Sequence, residues 1–134
     1  WALTGAILAD IDSLAAARRI PVVYALIPSI EQVDAAALTL RLEAFGVDPA
    51  SLDLDQPDRL LASELAKRGL TSVSLLGPFR EAHSRGVRLY GRADPHLSAA
   101  GHSVTWNQLA PVMARALGAP YRPTSAPAGE CDAP

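Results

Sequence analysis

The chain has 134 residues, of which 12 are Lys or Arg, 14 are Asp or Glu and 49% are hydrophobic, as is typical of one globular domain. One Cys and three scattered His give no repeated ligand pair, which excludes a zinc framework, and we predict no metal and no cofactor. A formal net charge of -2 supplies no basic field for nucleic acid, and no stretch is apolar enough for a transmembrane segment. We therefore expect neither nucleic-acid binding nor membrane insertion.

The first part of the chain predicts two helices on either side of a buried strand. Residues 3–19 form an amphipathic helical pattern, in which the apolar positions recur at steps of four, four and three: Leu3, Ile7, Ile11 and Leu14. The apolar run 22–27 lacks alternation and is bounded by prolines, which indicates a central parallel strand covered on both faces. Ser29 precedes Gln32 at the spacing of a capping box, and the helical pattern that follows can end at Gly46.

The second part predicts three more helices and one more strand. After a loop, a helix over 57–69 is expected to turn four residues inward: Leu60, Leu61, Leu65 and Ala66. A strand over 71–76 and a short helix from Gly77-Pro78 to about Ser84 follow. Ser98 can cap a last helix that extends to Leu117 and that Pro111 is expected to break or bend.

The order α-β-α-α-β-α-α predicts right-handed crossovers and an α/β layered fold. An apolar central strand needs neighbours on both edges, but the chain offers only one other convincing strand. We therefore expect an upstream segment, a second chain or another copy of this chain to complete the sheet. Residues 1–118 are predicted to form this part of a domain, and residues 119–134 are predicted to be an irregular tail rich in Pro and Ala.

The most informative motif lies between Tyr90 and the start of the last helix. Asp94 stands two residues before His96 in a predicted loop, and Pro95 stiffens the link between them. A carboxylate beside an imidazole can fix its tautomer and stabilise the imidazolium when the other ring nitrogen accepts a proton from a nucleophile. An Asp-x-His triple also fits a capping or loop role. The spacing alone leaves both interpretations open.

Asp94-Pro95-His96-Leu97-Ser98, followed by Gly101-His102, resembles the last conserved block of SGNH (GDSL-type) hydrolases and related acyltransferases. The resemblance covers about residues 3–117. It implies a flavodoxin-like three-layer α/β/α fold with a parallel sheet, of which this chain supplies the C-terminal strands and helices. It also implies carboxylic ester hydrolysis, or acyl or acetyl transfer, with His96 as the general base and Asp94 as the residue that orients it.

The sequence departs from that family in lacking the early Gly-Asp-Ser block that carries the nucleophilic serine. The Gly and Asn of the oxyanion hole also have no counterpart, since Asn107 lies inside the last helix. The resemblance therefore implies that the serine lies on a missing upstream segment or a partner chain. The single residue between Asp94 and His96 is similar to the subset acting on polysaccharide O-acetyl groups. It implies an ester substrate such as an O-acetylated glycan or a lipid, and agrees with a secreted or periplasmic location.

A rival interpretation is a non-catalytic binding or assembly module with the same fold, which the absent Gly-Asp-Ser block favours. Several other residues have structural explanations that are simpler than chemistry. His83 is expected at the surface and His102 in the first turn of a helix. The acidic cluster could bind a cation, although acids also favour caps and first turns. Ser29 is explained as a cap, and Cys131 in the tail lies too far from any histidine motif to be a nucleophile. The acidic cluster consists of Asp53, Asp55 and Asp58.

Overall fold

The computed structural model describes residues 1–91 and 94–121, so most of the predicted tail, including Cys131, lies outside the described residues. The described chain is mixed α/β and mostly helical, with one two-stranded parallel sheet. Within it, no helix combines the length and the apolar character needed to cross a membrane. The elements are α1 (Ala2–Ala16), β1 (Tyr24–Leu26), α2 (Ala35–Phe45), α3 (Gln56–Lys67), β2 (Ser72–Ser74), α4 (Leu76–Ser84) and α5 (Ala99–Ala116), with 3-10 turns at Ile30–Gln32 and Pro49–Ser51.

The two strands pair in parallel with Tyr24 opposite Ser72, but each is only three residues long. Both are shorter than predicted, since the pairing covers only Tyr24–Leu26 and Ser72–Ser74; the Leu75 N–H still donates to the Leu26 carbonyl before the chain turns into α4. The Tyr24 N–H and the Leu26 carbonyl both face β2. Since backbone groups alternate along a strand, the N–H and C=O of Ala25 point to the opposite edge of β1.

The capping box at Ser29 is present, but it serves a different element from the one predicted. The Ser29 N–H donates to Gln32 Oε1 over 2.9 Å and closes a single 3-10 turn. The helix α2 begins later, where Asp34 accepts hydrogen bonds from the backbone of Ala36 and Ala37. The predicted end is confirmed, since Gly46 has a φ of 61° at the C-cap, a left-handed conformation that glycine adopts without strain.

The helix α1 contacts α3 through Gly5, which lies under the guanidinium of Arg68. The Tyr24 hydroxyl donates to the Leu8 carbonyl and ties α1 to β1. The apolar stripe of α1 takes no part in these contacts and is exposed along its whole length, from Leu3, with 73% of its surface accessible, to Leu14. The stripe thus has the amphipathic pattern that the sequence predicts, but no described residue covers it.

The other helices differ from the predictions in two details. Leu65 of α3 is fully buried, as predicted, but Ala66 is exposed, because the helix turns it toward solvent. Of the break or bend predicted at Pro111, the break is wrong, because α5 continues across it and a proline removes only one hydrogen bond when the turns on both sides are formed. The bend stays a prediction.

The buried core is small and lies at one end of the molecule. It joins the start of α4, the segment before Gly91 and the first turns of α5, and consists of Leu75, Phe79, Ala82, Leu89 and Tyr90. Partly buried side chains from β2, α5 and the 3-10 turn after β1 pack around it. The residues that carry the Asp-x-His motif therefore leave directly from the best-packed part of the chain.

Candidate active site

The loop that carries Asp94 and His96 is closed at its base by backbone hydrogen bonds. Tyr90 and Leu97 form an isolated antiparallel bridge, and the Gly91 N–H donates to the His96 carbonyl over 2.8 Å. The next residue, Ser98, donates its N–H to the Leu89 carbonyl over 2.9 Å. These bonds make a narrow hairpin-like loop whose ends are fixed on the core.

Ser98 then starts α5, as the sequence predicts, because its Oγ accepts the N–H of Gly101 over 3.1 Å. Two glycines allow this close approach. A Cβ on Gly101 would overlap the Leu89 carbonyl oxygen, and a Cβ on Gly91 would lie 2.9 Å from Asp94 Oδ1. The helix can therefore pack against the loop only with glycine at position 101.

Asp94 and His96 face each other within the loop. The Nδ1 atom of His96 lies 3.2 Å from Asp94 Oδ1, and the same oxygen accepts the His96 backbone N–H over 3.0 Å. The His96 side chain is 86% exposed, so its Nε2 is open to solvent. Asp94 Oδ1 thus closes a local turn and also lies within contact distance of one imidazole nitrogen, a geometry compatible with either of the interpretations that the spacing left open.

Tyr90 joins this loop to the carboxyl end of β1. Its hydroxyl donates to the Pro28 carbonyl over 2.9 Å, and its ring meets Phe79 edge to face with centroids 6.0 Å apart. Burial, with a smaller contribution from the charge of Glu31, raises the pKa of the Tyr90 phenol to about 12. The phenol therefore remains a hydrogen-bond donor at neutral pH. Ligand sites of parallel α/β sheets gather at this end of the strands.

In the sequence, Tyr90 marks the start of the motif, but the sequence alone assigns it no role. A signal was present, because a buried tyrosine needs a partner for its hydroxyl, and this tyrosine comes directly before the loop. The partner could not be predicted, since Pro28 is 62 residues away in the chain.

A cavity of about 260 Å³ lies beside the loop, between the 3-10 turn after β1, the end of α4 and the segment that leads to Gly91. Asp34 and His83 are among its lining residues, together with the ring of Tyr90. His83 is half-buried there, whereas the sequence predicted a fully exposed position. His102 is exposed in the early part of α5, as predicted. The cavity gives the loop a neighbouring space for part of a ligand.

The acidic cluster gives no support to a cation site. Each of its carboxylates is engaged by a protein group: Asp53 with Arg59 at 2.7 Å, Asp55 with Arg80 at 2.7 Å, and Asp58 with the Ser74 hydroxyl at 2.9 Å. The hydrogen bond from Arg59 holds the pKa of Asp53 below its ordinary value. Within residues 1–91 and 94–121, no group of three or more His, Cys, Asp or Glu residues is arranged to hold a metal.

The serines nearest to the loop or to the end of β1 already have other hydrogen-bonding partners. The Ser98 hydroxyl donates to the Arg88 carbonyl over 2.7 Å while it caps α5. The Ser29 side chain belongs to the capping box of the 3-10 turn. Neither hydroxyl is therefore placed as a nucleophile for His96.

Comparison of the chain with models of protein families, with curated proteins and with solved structures found no match.

Proposed function

We propose that this chain supplies the Asp-His part of an SGNH-type serine esterase or acetyltransferase, with the nucleophilic serine on an upstream segment or a partner chain. The observation that carries the proposal is the pair formed by Asp94 and His96. It combines a 3.2 Å contact at Nδ1 with an Nε2 that is open to solvent, on a loop tied to the carboxyl end of a parallel strand.

In this role, Nε2 of His96 accepts the proton of the incoming serine hydroxyl as the serine oxygen attacks the carbonyl carbon of the ester. Asp94 keeps the proton on Nδ1 and stabilises the imidazolium. The tetrahedral intermediate collapses when the imidazolium gives its proton to the leaving alcohol oxygen, which leaves an acyl-serine. Water, or an acceptor hydroxyl in the transferase, then attacks the acyl-serine with the same general base. The oxyanion donors also belong to the partner.

The packing of the two strands supports a larger layered sheet. Successive side chains of a strand point to opposite faces. Tyr24 contacts α1, whereas the neighbouring Val23 lines a cavity of about 170 Å³ with Leu109 and Met113 of α5. A three-layer α/β/α arrangement requires helices on both faces of the sheet; Val23 lies just before β1, and Ala25, which shares its face, is exposed and would need further cover in a larger sheet.

The open edge of β1 supports a partner that completes this sheet. Ala25 is exposed, and within the described residues β1 has β2 as its neighbour on one side only. Both α1 and α5 also carry large apolar side chains that are exposed. Those of α1 form its stripe, and α5 adds Trp106, which is 53% exposed, with Met113 and Leu117. An apolar strand with its own helix would pair with this edge and could cover part of this exposed apolar surface.

The direct test is an assay of a small acetyl ester, such as 1-naphthyl acetate, with the protein or complex in which this chain meets its serine-bearing partner. General acid-base catalysis contributes about 10²- to 10⁴-fold to a rate, so His96→Ala should lower kcat by that factor. Asp94→Asn should lower kcat as well. The matched control is His102→Ala, because His102 is exposed and six residues away on α5, and it should leave kcat unchanged.

Two results would contradict the proposal. An unchanged rate in His96→Ala would show that this imidazole is not the base. A complete assembly whose structure has no serine Oγ within hydrogen-bond reach of His96 Nε2 would favour the non-catalytic binding or assembly module instead.

A further inference from the structure

We propose that Tyr90 is the positioning residue of the Asp94–His96 pair: its hydroxyl bond to the Pro28 carbonyl fixes the loop relative to the end of β1, where the partner serine has to meet His96. This inference rests on the proposed function and adds to it the residue that sets the register between loop and sheet.

The first step is that, among described residues 89–91 and 94–98, the Tyr90 hydroxyl makes a hydrogen bond to a distant part of the chain, whereas Leu89 and Leu97 are held by apolar packing on the core. The bonds at the base of the loop, from Gly91 to His96 and from Ser98 to Leu89, join residues that are close in sequence. They give the loop its internal shape and leave its position on the sheet to be set by other contacts. The Tyr90 hydroxyl bond spans 62 residues and ends on the segment that follows β1.

The second step is that this bond is rigid. Tyr90 is 5% exposed, and its ring packs against the fully buried Phe79. The acceptor belongs to Pro28, which is also buried and whose own ring restricts the backbone. A buried hydrogen bond between two fixed groups holds the loop in one position relative to β1, whereas an exposed bond would allow the loop to move.

The third step is that the position passes from Tyr90 to His96 through a single residue. Gly91 follows Tyr90 directly and donates its N–H to the His96 carbonyl over 2.8 Å. A shift at Tyr90 therefore moves the backbone of His96. Because a misplacement of about 1 Å can cost about 10²-fold in rate, the hydroxyl bond bears on catalysis without touching the substrate.

The test compares Tyr90→Phe with Tyr24→Phe, which makes the same chemical change. Tyr24 also donates its hydroxyl to a backbone carbonyl, that of Leu8 over 3.2 Å, but it ties α1 to β1 away from the loop. NMR of the chain gives backbone order parameters for residues 94–97 and the ¹⁵N shifts of the His96 ring. We expect order parameters near 0.85 in the parent and in Tyr24→Phe, and values below about 0.6 in Tyr90→Phe, with altered ring shifts in that variant alone.

In the assembly that contains the serine, Tyr90→Phe should lower kcat about 10- to 100-fold with little change in KM, and Tyr24→Phe should leave both unchanged. Unchanged order parameters and ring shifts in Tyr90→Phe would overturn the positioning role. So would a full kcat in that variant while His96→Ala is inactive. The opposite pattern, a loosened loop in Tyr90→Phe but full activity in His96→Ala, would refute the proposed function and leave the positioning of the loop intact.

Discussion

The two sides of the molecule differ in how completely they are packed. At the closed end, Phe79, Leu75 and Leu89 are fully buried, and the Asp94–His96 loop is anchored directly on them. At the open side, the stripe of α1, the outer edge of β1 and the Trp106 face of α5 are exposed, although they have the composition of a core. The region that holds the candidate catalytic groups is thus well packed, whereas the region that the proposed partner would cover is exposed.

If the exposed side receives a partner, as proposed, the core and that side have separate roles. The geometry of the Asp-His pair depends on local contacts that the chain supplies itself. The sheet needs more than such local contacts, because two three-residue strands supply too little pairing and too little buried area to be stable alone. Substitutions at the two sides should therefore have opposite profiles: a large effect on the isolated chain at the closed end, and a large effect only on assembly at the open side.

The largest effect on the isolated chain is expected for Phe79→Ala. The ring is fully buried and supports Tyr90, so its loss leaves a cavity and should lower the free energy of unfolding by about 3–5 kcal/mol. Leu3→Ala is the matched apolar truncation on the open side, and it should change that free energy by less than about 0.5 kcal/mol. Urea unfolding followed by far-UV circular dichroism measures both. A loss of more than about 1 kcal/mol in Leu3→Ala would mean that the stripe is already covered.

A smaller loss is expected where α5 touches the loop. Gly101→Ala places a Cβ against the Leu89 carbonyl oxygen, and this overpacking should cost about 1–3 kcal/mol of unfolding free energy. Gly77→Ala is the control, because Gly77 lies inside α4 with open space around its Cβ position, and there alanine should be neutral or stabilising by about 0.5–1 kcal/mol. Equal unfolding midpoints in urea for both variants would show that the helix and the loop are not in the tight contact described.

The closed end could be predicted from sequence only in part. The Asp-x-His motif, the Ser98 cap and the Gly46 end of α2 follow from local preferences, and the structure has them. The anchor of the motif could not be predicted, because the bond between Tyr90 and Pro28 joins residues far apart in the chain. Local features such as caps and turns depend on neighbouring residues, whereas a long-range hydrogen bond depends on the complete fold.

The open side was harder to predict from the sequence, for a different reason. The sequence correctly predicts the order of helices and strands, and within the described residues β1 has a paired neighbour, β2, on one side. It overestimates the strand, however, because the run 22–27 has the composition of a fully covered strand, while only Tyr24–Leu26 is paired. The capping box at Ser29 also led to a wrong prediction of the element that follows it, since a capping box indicates where a turn starts and not how long it is.

The smallest effect on the folded chain, and the sharpest test of the open side, is expected for Ala25→Pro. The Ala25 N–H faces away from β2, so proline removes no hydrogen bond of the pairing between β1 and β2, and edge strands tolerate it. The free edge and its apolar flanks should make the parent chain self-associate as its concentration rises, and Ala25→Pro should shift the sedimentation velocity profile toward the monomer. Ala25→Val keeps the N–H and should associate like the parent. A parent chain that stays monomeric at about 0.1 mM, within the micromolar to millimolar range in which unpaired strand edges aggregate, would mean that this edge does not pair with a second copy of the chain.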